Sequence, residues 1–353
     1  MRIHQLLASL EFGDAVASQA LAIQRRLRAW GHESDIFAAA RHPRSTEPTR
    51  GLDELPDADD AVTIYHHAFW SEEMHEKLHG LRGRLAMVYH NVTPEHWFAP
   101  YSSELRDSAA RARAALEVLR DWVHFPLTVS EFNRVELGRA GFRDVGILPL
   151  PLDLAAFSRV EPDAETMSRF ADGWTNLLFV GRLAPNKRQE DVIRIFAWYH
   201  RFVDRASRLL LVGAAPEIDA YRQDLVWVAE SLRVADHVVF AGKVSFEELA
   251  AFYRVADVFV CMSEHEGFCA PLIEAMAHDL PVVARAEGAV RETLGDAGVL
   301  VRERDVPAAA EALRLVLSDG DLHAAVLERQ RRRLEVYGPG PFTEALERFV
   351  QRL

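Results

Sequence analysis

Apolar positions along the chain fall into two rhythms. Short unbroken apolar runs mark buried strands, and longer stretches with a period near 3.6 mark amphipathic helices. Residues 3–8 read as a strand, Ser9-Leu10-Glu11-Phe12-Gly13-Asp14 as a loop, and residues 15–30 as a helix stopped by Gly31. Strand-like runs recur at 35–39, 61–66, 85–90, 127–130 and 145–148, with helical patterns between most of them. The rhythm breaks at Pro149-Leu150-Pro151 and in the acidic, periodicity-poor stretch that follows. It resumes with strands at 177–180, 209–212, 237–241, 258–262, 281–284 and 299–301, separated by helices at 187–202, 217–232, 246–255 and 271–278. From 306 to 353 the pattern is helical, with one break at Gly338-Pro339-Gly340-Pro341.

This alternation predicts an α/β protein built from two doubly wound, Rossmann-like parallel sheets. The expected domains are residues 1–155 and 156–335, facing each other across a cleft, with a terminal helix at 336–353 crossing back onto the first. Open parallel sheets bind ligands outside the carboxyl ends of their strands, so the cleft is the expected site.

Composition narrows the function. At 353 residues with a formal charge of −12, the surface repels polyanions on average, which argues against nucleic acid as a partner and allows at most peripheral membrane contact. An anionic ligand therefore needs a local site. The two cysteines, Cys261 and Cys269, cannot form a disulfide framework or a four-cysteine zinc site, and a reducing, cytoplasmic setting is expected. No run reaches the about 18 to 20 apolar residues of a membrane span, and the start has no leader-like pattern.

Two segments carry chemistry. Ser263-Glu264-His265-Glu266-Gly267-Phe268-Cys269-Ala270-Pro271-Leu272-Ile273-Glu274 runs from a strand end into a helix. Pro271 suits the first helical turn, and the backbone N–H groups around Gly267 to Leu272, with the helix dipole, favour an anion such as a pyrophosphate. Glu266 and Glu274 would repel that anion, so they are better acceptors for neutral hydroxyls; a surface acid and a tolerated helix-start acid are the plainer alternative. Gly181-Arg182-Leu183-Ala184-Pro185-Asn186-Lys187-Arg188 follows the first strand of the second domain, and its cations can neutralise a departing diphosphate or simply form a solvated basic loop.

Glu266 to Glu274 resembles the E-x7-E signature of retaining glycosyltransferases with the two-domain GT-B fold, the group that includes bacterial polysaccharide and lipopolysaccharide sugar transferases. Gly181-Arg182 with Lys187, and Phe240-Ala241-Gly242-Lys243-Val244-Ser245, resemble the same family's other landmarks. The resemblance spans nearly the whole chain and is strongest from 177 to 301. It implies a hexose-type transfer from a UDP- or GDP-sugar to the hydroxyl of a saccharide or lipid-linked saccharide acceptor, as in bacterial cell-surface polysaccharide or glycoconjugate synthesis. No cofactor and no metal are implied. Residue by residue, Glu266 would touch the donor sugar, Glu274 the ribose hydroxyls, and Arg182 with Lys187 the diphosphate. The N–H groups of Gly267, Phe268 and Cys269 would meet sugar or phosphates, and the turn at Val244 would hold the base. Gly13-Asp14 resembles the glycine loop that approaches the phosphates, and His90, followed by Asn91, the histidine near the sugar. The sequence departs from the pattern at Cys269 and Phe12, where many relatives carry glycine.

Other motifs fit less well. His75-Glu76-Lys77-Leu78-His79 matches the helical H-E-x-x-H zinc motif, but only Met74 and Leu78 are apolar nearby, as expected of a short solvent-facing helix. Asp57-Ala58-Asp59 has D-x-D spacing yet precedes its strand. Cys269 at a helix start is a candidate nucleophile or a small packing residue. The helix at 102–120, with Arg106, Arg111, Arg113 and Arg120 around an Ala/Leu face, either packs on the core or approaches lipid at the inner face of the membrane. A sugar-nucleotide epimerase or hydrolase of the same architecture, or a non-catalytic sugar-nucleotide-binding module, are the alternative functions. Donor base, sugar, acceptor, linkage and oligomeric state have no readable code here.

Overall fold

A computed structural model describes residues 1–10, 14–41, 48–214, 216–302 and 304–353. The chain divides into two compact units, one made of Met1–Ala99, Ser103–Leu152 and Gly338–Leu353, the other of Pro100–Ser102 and Asp153–Tyr337.

The first unit is built on six strands: β1 (Arg2–Leu10), β2 (Ile36–Arg41), β3 (Ala61–His67), β4 (Arg84–Tyr89), β5 (Phe125–Thr128) and β6 (Gly146–Ile147). They form one all-parallel sheet in the order β2-β1-β3-β4-β5-β6. Every residue of β3 is buried, as in a sheet covered by helices on both faces. The second unit repeats the plan with β7 (Thr175–Val180), β8 (Ser207–Val212), β9 (Val238–Gly242), β10 (Val258–Cys261), β11 (Val282–Arg285) and β12 (Val299–Val301). Its sheet is also parallel, in the order β12-β11-β10-β7-β8-β9. From β7 the chain winds outward through β8 and β9, then returns to β10 on the other side of β7. The loops after β7 and β10 therefore flank the point where winding reverses, which is where such sheets bind ligands.

Three sequence expectations shift. The strand expected at 127–130 is Phe125–Thr128, because Ser130 turns out of the strand to cap the Glu131–Arg139 helix by accepting from the Asn133 N–H. The periodicity-poor stretch holds two short helices, Leu154–Arg159 and Ala164–Phe170, each started by an aspartate cap, Asp153 and Asp163. The Gly338-Pro339-Gly340-Pro341 break instead opens a helix: Pro339 begins Pro339–Val350 with Gly338 as its cap. Proline costs little in a first turn, where its missing N–H has no intrahelical acceptor.

Among the described residues, no helix is long and apolar enough to cross a membrane. The helix Ser103–Trp122 buries Ala109, Ala112, Ala115, Leu116 and Leu119, and its Arg113 pairs with Glu136 at 2.7 Å. The helix Glu72–His79 buries only Met74 and Leu78, and His75 and His79 both lie against the Trp122 ring, at 4.9 and 5.1 Å between centroids. Asp57 binds Arg82, accepting from its backbone N–H at 2.8 Å and from Nε at 3.2 Å.

Candidate active site

In the second unit the two chemistry-bearing segments are the loops that follow β7 and β10. The first of them packs against the end of β8 through Gly181 and Gly213. A Cβ on Gly213, whose φ is +134°, would lie 2.0 Å from the Gly181 carbonyl oxygen, so this approach excludes any side chain. The two loops are tied by Asn186, a buried residue whose Nδ2 donates to the His265 carbonyl at 2.9 Å, while its own carbonyl accepts from the Glu264 N–H at 2.9 Å.

Lys187 closes a single 3-10 turn, Pro185–Lys187, and its Nζ donates to Glu266 Oε2 at 2.5 Å. The lysine side chain is 22% exposed and the glutamate 7%, so the pair is shielded but reachable from one side. Burial alone would lower the Lys187 pKa; the charge of Glu266 outweighs it and raises the value, keeping the ammonium charged. Arg182 is more open, reaching Glu217 at 3.3 Å. Its carbonyl accepts from Gln189 Nε2 at 3.0 Å, which fixes the loop from below.

The β10 loop ends at Cys269, which caps the helix Ala270–Ala277 in the left-handed conformation with φ +70°. A glycine adopts this conformation freely and an L side chain at a cost of about 1–2 kcal/mol, which explains why this position suits glycine. The Leu272 N–H, expected to face a ligand, instead donates to the Cys269 carbonyl at 3.1 Å, because the helix's first turn closes on its cap. Pro271 has no N–H. The backbone N–H groups of Phe268, Cys269 and Ala270 find no acceptor among the described residues, and they sit at the positive end of the helix dipole. Phe268 is held by its carbonyl, which accepts from Thr293 Oγ1 at 2.5 Å, and Gly267 precedes it as a partly exposed link. The Cys269 thiol is buried 4.0 Å from Cys261, and the hydrogen bond with Cys261, together with burial, pushes its pKa well up, the opposite of an activated nucleophile. The ligand atoms of Cys261, Cys269 and Glu266 lie within 4.8 Å of one another, with the Lys187 ammonium on that carboxylate.

Glu274 projects from the same helix. Its Oε2 accepts from Tyr253 Oη at 2.7 Å, and burial raises its pKa against the pull of that hydrogen bond. Val244 is partly buried and directly precedes Ser245, whose hydroxyl and Glu248 form a capping box for the helix Phe246–Val255. One residue of this site has no local sequence signal. Gly288, with φ +56°, packs so tightly under Glu266 that a Cβ would come 2.8 Å from the Glu266 nitrogen. The neighbouring Ala289 N–H donates to the Glu266 carbonyl at 3.0 Å.

In the first unit, Gly13 lies outside the described residues, and Asp14 is the cap residue of the helix Ala15–Ala29. His90 is partly exposed at the carboxyl end of β4. Its Nε2 is 2.9 Å from His66 Nδ1, and the two rings stack at 5.1 Å. Burial, and then the neighbouring His66 and His67, hold the His90 pKa well below the usual imidazole value. The following Asn91 takes φ +79° and donates to Asn133 and Glu136, both at 2.8 Å, in a network that includes Tyr89 and Arg113.

Residues 175–319 match the family model described as glycosyl transferases group 1. The chain is 33% identical over 228 residues to a D-inositol 3-phosphate glycosyltransferase of Kineococcus radiotolerans, covering 60% of this chain and 52% of that protein. It is 30% identical over 229 residues to a GDP-mannose-dependent alpha-(1-6)-phosphatidylinositol monomannoside mannosyltransferase of Mycobacterium tuberculosis, covering 61% and 58%. The chain thus spans a little over half the length of these curated relatives. Among solved structures, Anabaena HepE in complex with UDP-glucose superposes with a TM-score of 0.79 at 16% identity, over 100% of both chains. Sucrose-phosphate synthase from Thermosynechococcus elongatus gives 0.76 at 20% identity, over 100% and 99%. The likeness to the group 1 glycosyltransferases thus lies in the second unit, and the chain has the GT-B fold of these solved structures.

Proposed function

We propose that the protein is a retaining, metal-independent glycosyltransferase that moves a hexose-type sugar from a UDP- or GDP-sugar to the hydroxyl of a saccharide or lipid-linked acceptor. The observation that carries this reading is the set of three N–H groups with no acceptor among the described residues, Phe268, Cys269 and Ala270, at a helix start beside the Lys187–Glu266 pair and the winding reversal of the sheet. Backbone donors, a dipole and a shielded ammonium together form a site for a diphosphate. Its hydrogen-bonding partners are fixed before the ligand arrives, so little reorganisation opposes the reaction.

In this mechanism the bond from the anomeric carbon to the diphosphate oxygen breaks as positive charge grows on the sugar ring. Lys187 and Arg182 with the helix start take up the negative charge on the leaving group, which is why a metal is unnecessary. The acceptor hydroxyl attacks from the face the diphosphate leaves, its oxygen bonds to the anomeric carbon, and its proton passes to the leaving phosphate oxygen. Glu266 binds a donor-sugar hydroxyl and Glu274 the ribose. A UDP- or GDP-sugar donor is supported by the mycobacterial relative's name, which cites GDP-mannose, and by the UDP-glucose complex of HepE. A role in cell-surface glycoconjugates is supported by the lipid-linked substrate in the mycobacterial relative's name.

Thermal denaturation with UDP, GDP and their sugars tests the reading. A ligand that binds only the folded protein stabilises it by about 2.7 kcal/mol at a hundredfold excess over Kd. One nucleoside diphosphate is expected to raise Tm, and its sugar to be consumed only when an acceptor is added. Indifference to every nucleotide would sink the proposal, and donor turnover without acceptor would replace it with a hydrolase or epimerase.

A further inference from the structure

His90 stands at the end of a series of hydrogen-bonded polar groups that begins on β1, between β2 and β3 in the first unit's sheet. Gln5, on β1, is completely buried, and its Nε2 donates to the Ala20 carbonyl at 2.8 Å. A carbonyl cannot donate, so this contact assigns the amide orientation and turns Oε1 toward His66 Nε2, 3.0 Å away. An amide oxygen only accepts. His66, 2% exposed, must therefore carry its proton on Nε2 and present a lone pair at Nδ1. That lone pair faces His90 Nε2 at 2.9 Å, so His90 must carry its proton on Nε2 in turn. Its Nδ1 is left as an acceptor with no partner among the described residues, and of the two stacked rings His90 is the partly exposed one.

We propose that Gln5 and His66 are positioning residues that fix the His90 tautomer, so that His90 Nδ1 accepts a hydrogen bond from a hydroxyl of a carbohydrate bound at the carboxyl end of the first unit's sheet. The inference rests on the transferase reading for the nature of the ligand, while the tautomer follows from the hydrogen-bond chain alone. The backbone strengthens the assignment: the His90 N–H donates to the His67 carbonyl at 3.0 Å, continuing the ladder between β3 and β4 past its last paired residues. The two imidazoles therefore belong to one rigid register. A donor-only residue in place of Gln5 would reverse every bond in the chain and turn a protonated Nδ1 outward.

Nitrogen-15 NMR of histidine-labelled full-length protein at neutral pH, with the His90 signals assigned by their loss in His90→Gln, reads the tautomer directly. The expected result is a neutral His90 ring protonated at Nε2 in the unsubstituted protein. A ring protonated at Nδ1 overturns the proposal whatever the activity. Gln5→Leu removes the acceptor and is expected to mix the His66 and His90 tautomers. It should lower kcat about tenfold, the scale of one lost hydrogen bond, and leave the donor KM within about twofold. His66→Phe keeps the stacked ring without its lone pair and should do the same. Both variants retaining full kcat, while His90→Gln loses it, would also overturn the positioning role. No transfer by the unsubstituted protein with any donor would defeat the transferase reading and leave the tautomer result to decide the relay.

Discussion

Replacing Lys187 separates what the lysine does for stability from what it does for a ligand. Lys187→Met keeps the length of the side chain and removes the ammonium that holds Glu266 at 2.5 Å. Glu266 is 7% exposed, so its carboxylate would be left largely desolvated and without its cation. Breaking a fully buried pair costs about 3–5 kcal/mol, and the 22% exposure of Lys187 lets water reach the site and reduces the expected loss to about 2–3 kcal/mol. Glu266→Gln in the same background removes the orphaned charge, so the double variant should recover at least half of that loss. Urea denaturation of the parent, both single variants and the double variant gives the coupling energy as a double-mutant cycle. Binding should not recover with stability. A charge-assisted hydrogen bond is worth about 1.5–3 kcal/mol, so UDP or GDP should bind about 10- to 150-fold more weakly to both lysine variants. A coupling energy near zero would refute the account of the ion pair. Undiminished nucleotide affinity in a folded Lys187→Met protein would refute its place in the diphosphate site.

Two further outcomes follow from the packing and from the buried histidines. Gly288→Ala puts a Cβ 2.8 Å from the Glu266 nitrogen at a left-handed residue, so it should cost about 1–3 kcal/mol in stability and weaken nucleotide binding, whereas Ala at the open Gly173 should cost only its φ strain and leave binding intact. Acid should destabilise the first unit at an unusually mild pH. Burial lowers His66 to about 3 and His67 to about 4, so both stay neutral in the folded protein while the unfolded chain takes up their protons below about 6.5. Their contribution is complete above pH 6.5 and is lost as pH falls toward the folded-state values, by about 2 kcal/mol each at pH 5. Stability measured from pH 8 to 5 should drop with that slope, and His66→Gln should make the slope shallower by one proton; a flat profile would contradict it.

The order of strands and helices, and the two loops that matter, are legible in the amino-acid sequence because each depends on local periodicity and on residue types a few positions apart. Apolar runs of strand length, the Pro271 helix start and the Glu266 to Glu274 spacing are properties of contiguous chain. Helix caps were harder to read. Ser130 ends a strand that its hydrophobic neighbours would have extended, and Pro339 starts a helix where Gly-Pro repetition suggests a break, since both outcomes turn on which backbone N–H groups need a partner.

Only the tertiary structure decides which groups face one another. Lys187 and Glu266 lie 79 positions apart and meet because β7 and β10 are neighbours at the winding reversal. Gly288 supports Glu266 from another loop, and Gln5, His66 and His90 come from three successive strands of one sheet. Sequence distance carries no information about such contacts, because strand order is set by how the two sheets pack their helices. The protonation of His90 is further removed still, being determined by an amide orientation two hydrogen bonds away.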